Sequence, residues 1–180
     1  MSGVQAGQSE QAGPAAQAER ARVSAIAALD EDRVIGGATG GVPWHIPEDS
    51  RRFRTKTAGH PLIMGRVTFE EFETPLADTL NIVVTRDEKY QVPAGTVVAH
   101  SLGEALMYAH EDDQEEIFIG GGAGLYRSAL DFCDRLYLTI VHGHFEGAAQ
   151  FPDYSQFTKV LEQSSHDDGT YKYDFVTLER

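Results

Sequence analysis

The sequence predicts a single α/β domain, and three observations predict it. From Val23 onward, short apolar runs alternate with amphipathic stretches, the pattern of helices packed on a sheet. Glycine-bearing segments such as Gly65-Arg66 and Gly120-Gly121-Gly122 stand where an apolar run gives way to a helical pattern. The length, 180 residues, suits one domain and not two, and 41% apolar with 24% charged residues is an ordinary globular composition.

The elements follow in order. Residues 1–20 are Gln, Ala, Gly and Ser with almost no large apolar side chain. Such a segment cannot offset its ordering entropy, so it is expected to be a disordered tail, with the domain spanning 21–180. Val23–Leu29 is a compact run of small apolar residues, the signature of a buried central strand. Asp30–Pro43, with Gly36, Gly37, Gly40 and Gly41, reads as loop. Pro47 opens a helix over Glu48–Thr57, acids in its first turn and bases later, as the helix dipole prefers. Pro61–Met64 is a short strand, followed by a short helix over Gly65–Phe72. Asn81–Thr85 and Thr96–Ala99 are further strands, and Ser101 with Glu104 forms a capping pair for a helix to about His110. Glu116–Ile119 is a strand, Ala123–Leu130 a helix and Leu136–Val141 a strand. Val160–Ser165 and Tyr171–Leu178, joined through Asp167-Asp168-Gly169, form a terminal hairpin.

Charge excludes several classes of partner. Against 28 acidic side chains stand only 15 basic ones, a net charge of −13. Nucleic acids and anionic membranes need clustered Lys and Arg, so neither is expected as a partner. Acid excess with few lysines is also one route to solubility in strong salt, although a somewhat acidic enzyme is the simpler reading. The single cysteine, Cys133, cannot form an internal disulfide, and no apolar run is long enough to span a membrane. These features predict a cytoplasmic protein.

Candidate chemistry gathers at strand ends. Asp49 and Phe53 lie four apart and share a helix face behind the loop bearing Trp44, which suits a flat heterocycle held by carboxylate and ring. Gly65-Arg66-Val67-Thr68, Thr85-Arg86 and Gly120–Gly124 each follow a strand, and each offers free N–H groups, hydroxyls or guanidinium to an anion. The glycine spacing does not match the dinucleotide fingerprint of a Rossmann domain. Together they predict one extended polyanionic ligand across the sheet's carboxyl edge. His142 and His144 alternate, so on a strand they would share a face, but no third ligand accompanies them and no metal is expected. Cys133 lacks nucleophile partners and reads as packing.

In combination and order, these segments resemble the dihydrofolate reductase family. The resemblance rests on Ile26–Leu29, Arg33–Gly36, Pro43-Trp44-His45-Ile46-Pro47-Glu48-Asp49, Ile63–Glu70, Asn81–Arg86, Gly121-Gly122 with Tyr126, Leu136–Thr139 and Phe151-Pro152-Asp153. It implies a mostly parallel eight-stranded sheet flanked by helices, with a C-terminal antiparallel hairpin. It also implies NADPH as cofactor, dihydrofolate as substrate and a monomer. By resemblance, Asp49 is the acid that contacts the pterin and supports protonation at N5, with Trp44 and Thr139 beside it. The implied substrate contacts are Ile26, Ala28, Val42, Asp49, Phe53, Arg54, Gly120 and Thr139. The implied cofactor contacts are Ala28, Ile35, Gly36, Gly65, Arg66, Val67, Thr68, Thr85, Arg86, His100, Gly121, Gly122, Ala123, Gly124, Leu125 and Tyr126. Arg66 and Arg86 would face a 2′-phosphate, and Gly121-Gly122 would be the family's cis pair.

The chain departs from the family's pattern in places. Thr79 stands where the family usually carries the Arg that clamps the substrate's glutamate α-carboxylate, and Arg54, Arg52 or Lys56 would have to replace it. The Gly36–Pro43 loop is one residue longer than the commonest form. Val42 replaces a bulky residue, Ala148-Ala149 a polar pair that usually steadies the loop, and Gly124 a basic residue. Gly120 stands where a larger side chain often lines the pocket. A looser lid and a roomier site are therefore expected. Two other functions remain open: a reductase of the same fold for a tail-less dihydropterin or a ribosylamino-pyrimidine, and a nucleotide-binding protein with little catalysis.

Overall fold

A computed structural model describes residues 20–36, 41–72, 74–113 and 115–180. The expected N-terminal tail therefore lies outside the described residues except for Arg20, which pairs with Asp134 at 2.7 Å. The fold centres on β1 (Arg22–Asp30), the run of small apolar residues. After it come β2 (Val34–Gly36), α1 (Pro47–Thr57), β3 (Leu62–Gly65), α2 (Arg66–Glu70), β4 (Asn81–Val84) and β5 (Thr96–Ala99). They are followed by α3 (Leu102–Asp112), β6 (Glu116–Ile119), α4 (Ala123–Ala129), a 3₁₀ turn (Leu130–Phe132) and β7 (Arg135–Val141). β8 (Ala149–Gln150), β9 (Lys159–Asp167) and β10 (Lys172–Glu179) complete the chain. Eight strands form one sheet in the order β5-β4-β3-β6-β1-β7-β10-β9. β3, β4, β5, β6, β1 and β7 pair in parallel, and β10 is antiparallel to both β7 and β9. This is the predicted mostly parallel sheet with a C-terminal hairpin.

Strand alternation divides the core between the two faces. Ala25, Ala27, Leu29, Ile63, Ile82, Ile117, Ile119, Leu136 and Leu138 point to one side, where Ala105 and Ala109 of α3 and Leu125, Tyr126 and Ala129 of α4 cover them. Ile26, Leu62, Met64, Val83, Phe118 and Tyr137 point to the other side, against Phe69 of α2 and Phe53 of α1. The alanines of β1 let the helices approach its centre closely. The capping pair forms as predicted: Ser101 Oγ accepts from Glu104 N at 3.1 Å, and Glu104 Oε2 accepts from His100 N at 2.7 Å.

Two expectations need correction. The segment after Asp30 is not all loop, because β2 pairs with β8 in a separate two-stranded ribbon. The parallel sheet is already complete without them, and both strands are too short to show a period. β7 also ends at Val141, so His142 and His144 do not alternate on a strand. Gly143 turns the chain there with φ +119°, and the two imidazoles go to different carboxylates, Asp174 at 3.2 Å and Asp32 at 2.7 Å. Among the described residues no group of three such side chains is placed to hold a metal.

Candidate active site

Parallel strands aim their carboxyl ends at one edge, and a cleft of about 920 Å³ opens there. Of the sequence-predicted residues, Ile26, Ala28, Ile35, Gly36, Val42, Asp49, Phe53, Gly65, Arg66, Val67, Thr68, Thr85, Arg86, Gly120, Gly121, Gly122, Ala123, Gly124, Leu125 and Tyr126 line it. Trp44 and Thr139 stand behind the wall, and His100 and Arg54 lie outside the cleft. Ala27, Gly41, Glu71, Val84, Asp87 and Ala149 also line it, and the sequence reading assigns none of them to the site. Glu71 ends a short exposed helix, where no periodicity marks it. Its Oε1 accepts the Gly41 N–H at 2.9 Å. The predicted looseness of the Gly36–Pro43 loop concerns residues 37–40, which lie outside the described residues.

At one end of the cleft, Pro47 starts α1 and sets Asp49 in its first turn. β7 lies beside β1 in a register that places Thr139 opposite Ala28. Thr139 Oγ1, fully buried, donates to Asp49 Oδ1 at 2.5 Å. Burial pushes the Asp49 carboxyl above the usual carboxylate range, while Thr139 and the Arg52 guanidinium pull it partly back. Arg52 lies 4.6 Å over the Phe175 ring, which holds its charge near the acid. Trp44 is 5% exposed and packs edge-on against Phe145 at 5.2 Å, and among the described residues no atom accepts from its Nε1–H. Phe53 stacks on Phe72 at 6.1 Å and makes the opposite, aromatic wall.

At the other end, β3 and β6 are bridged where Gly65 N donates to Gly121 O at 2.6 Å, and the Gly121–Gly122 peptide is cis. Gly121 has φ +103°, and a Cβ there would come within 2.9 Å of the Tyr126 ring, so no other residue fits. Tyr126 is buried and donates its hydroxyl to Ile26 O at 2.6 Å. Thr68, Arg66, Thr85 and Arg86 gather around the ends of β3 and β4. Arg66 pairs with Glu70 at 3.1 Å and lies over Tyr90. His100 supports this edge from outside, its Nδ1 2.9 Å from Thr85 O. The expected extra room at Gly120 is absent: a Cβ there would stand 2.8 Å from Leu62 Cδ1 and 3.2 Å from Met64 Cγ, which already occupy that space.

Next to the cleft lies a second cavity of about 470 Å³, bordered by Arg54, Thr57, Glu71, Phe72, Thr74, Leu76 and Thr79. Thr79 Oγ1 is turned back onto Thr57 O at 3.2 Å. Arg52 is committed to Phe175 and Lys56 sits 4.9 Å over Tyr137, which leaves Arg54 as the cation on this wall among the described residues. Cys133 is buried, donates to Ala129 O at 3.4 Å, and burial pushes its thiol up to about 12, as expected of a packing residue.

An α/β domain whose cleft joins a half-buried carboxylic acid to a strip of arginine, threonine and glycine is an enzyme for an extended anionic nucleotide and a flat second ligand. Comparison with known proteins narrows this class. Residues 22–180 match the family model described as dihydrofolate reductase. The chain is 44% identical to dihydrofolate reductase type 3 of Salmonella typhimurium, over 88% of this chain and 98% of that one. It is 39% identical to dihydrofolate reductase of Bacillus subtilis, over 88% and 94% of the two chains. It is 34% identical to dihydrofolate reductase 1 of Haloarcula marismortui, over 79% and 84%. A solved dihydrofolate reductase from Enterococcus faecalis, complexed with NADP(H) and RAB-propyl, superposes with TM-score 0.79 at 35% identity, covering 88% of this chain and 96% of that one. The chain belongs to the dihydrofolate reductase family of NADPH-dependent oxidoreductases.

Proposed function

We propose that this chain reduces 7,8-dihydrofolate to 5,6,7,8-tetrahydrofolate in the cleft, with Asp49 as the acid behind protonation of N5. The observation that carries the assignment of Asp49 is its place on the cleft wall, half-buried and hydrogen-bonded to the fully buried Thr139. A carboxyl whose proton affinity is raised by burial holds a proton closer to neutral pH and still accepts hydrogen bonds from a pterin's amino and ring N–H groups. Trp44 serves the same side through its buried, unaccepted Nε1–H. Phe53 and Phe72 offer stacked faces to the aromatic middle of the substrate.

The residues present fit NADPH. Arg66, Arg86, Thr68 and Thr85 form a donor set for a phosphorylated ribose, the first-turn amides of α4 suit the pyrophosphate, and Ala28, Ile35 and Gly36 leave an apolar wall for the nicotinamide. When bound, NADPH supplies the hydride for C6. The protein's own task is to place both rings, exclude water and hold the proton. Arg54 takes the substrate's α-carboxylate in place of the missing arginine at Thr79. Among the described residues no helix is long and apolar enough to cross a membrane. A cytoplasmic monomer completes this reading, supported by the family and by the single buried thiol.

The test is NADPH oxidation by the purified chain with dihydrofolate and with a tail-less dihydropterin. Preference for dihydrofolate is the expected result. Equal or better turnover of the tail-less compound would make the Thr79 position a change of substrate.

A further inference from the structure

Three consecutive acids at the end of β1 grip three consecutive residues after β7. Glu31 Oε2 accepts from Gly143 N at 3.0 Å, Asp32 Oδ2 lies 2.7 Å from His144 Nδ1, and Asp30 Oδ2 accepts from Phe145 N at 2.8 Å. Asp30 differs from its neighbours in being 1% exposed. Its other oxygen accepts from Asp32 N at 2.9 Å and from Val34 N at 2.7 Å, so one buried carboxylate joins the turn into β2 to a segment more than a hundred residues away. A buried carboxylate with amide partners alone is costly unless every bond is kept, and so it defines one geometry.

That geometry leads to the site. The Phe145 ring meets the Trp44 indole edge to face, 5.2 Å between centroids at 73°. Trp44 lies five residues before Asp49, joined to α1 through Ile46 and Pro47. We propose that Asp30 is a positioning residue for the reaction: by fixing Phe145 it sets the indole of Trp44 on the proton-delivery side of the cleft. This rests on the reductase reading above. Two of Asp30's three side-chain hydrogen bonds are local, so a turn-capping role explains the bonds to Asp32 and Val34 and leaves the one to Phe145 without purpose.

Trp44 is the one tryptophan, so its emission reports its surroundings directly. Two variants of the full chain separate placement from folding. Asp30→Asn turns an amide NH₂ toward one set of N–H donors and must release it. Phe145→Leu keeps an apolar side chain and removes the ring edge. Both are expected to shift Trp44 emission to the red and to lower kcat for dihydrofolate about tenfold, the scale of a small misplacement at a reacting centre. The Kd for NADPH, measured by titration, stays within about twofold, since the change lies away from the nucleotide strip. Unchanged emission in both variants overturns the proposal, as does a kcat loss that follows only the thermal midpoint. If the wild-type chain does not turn over dihydrofolate, the reductase reading fails. The emission comparison still decides on its own whether Asp30 sets the indole.

Discussion

Thr139 and Asp49 tie the centre of the sheet to the first turn of α1 through one hydroxyl–carboxylate bond of 2.5 Å. Thr139 has no exposure, so its hydroxyl has no alternative partner in water, and the bond holds the acid in one rotamer at the cleft wall. The two residues stand ninety positions apart, brought together where α1 packs beside β7, whose register sets Thr139 opposite Ala28 of β1.

Replacing Asp49 by Asn removes the proton reservoir and keeps the shape. Turnover at neutral pH should fall about 10²–10⁴-fold while NADPH affinity holds, measured by steady-state assay and by titration. Stability should move the other way. The folded-state pKa of Asp49 is raised, so its favourable contribution exists below the unfolded pKa and is lost as pH rises through the folded one. At neutral pH the charged form is a burden that Asn relieves. Melting curves should show Asp49→Asn with the higher Tm at pH 7 and no advantage at pH 3.

The same acid predicts the pH profile. In the wild-type chain kcat should be highest at low pH and decline as pH rises through the raised pKa of Asp49. Thr139 lowers that pKa by its hydrogen bond, so Thr139→Val should carry the decline to higher pH. A decline displaced to lower pH would show that another group governs the profile.

The sequence reveals the sheet well and its decoration poorly, for reasons visible in particular elements. β1, β3, β4 and β6 are buried apolar runs bounded by glycine or polar turns, and each is found within a residue or two of its predicted place. β2 and β8 hold together by pairing with each other, information that no local window contains. β9 is exposed at most positions and extends beyond the predicted Val160–Ser165, because it offers no alternation to mark its ends. In the site, Asp49 with Phe53 follows from helical spacing, and the glycine strip follows from strand-to-helix punctuation. Glu71 and the filling of Gly120's space by Leu62 and Met64 depend on tertiary neighbours. The Asp30 grip is likewise a long-range event that Asp-Glu-Asp in a turn does not announce.

Arg54 and Thr79 make a specificity test. Arg54→Gln should raise KM for dihydrofolate by about tenfold, the worth of one charge-assisted hydrogen bond, and leave a tail-less dihydropterin unaffected. Adding Thr79→Arg to the Arg54→Gln variant should restore the lost affinity. An equal effect on both substrates would place Arg54 in stability and not in recognition.

Salt should favour the folded chain. With a net charge of −13, self-repulsion is screened as ionic strength rises, so Tm should increase between low salt and molar potassium chloride. A falling Tm would indicate that ion pairs such as Arg135–Glu179 outweigh the repulsion.

The position of β10 decides what truncation does to the sheet. Among the described strands, β10 comes latest in sequence yet does not cap the sheet but slots between β7 and β9, while β1, the earliest, lies at the centre between β6 and β7. The central strand thus depends on partners about ninety or more residues further along the chain, a non-local pairing that slows folding. Shortening the C-terminus into β10 would not trim an edge. It would open the sheet in its interior, strip β9 of the strand it pairs with, and uncover the flank of the strand that carries Thr139.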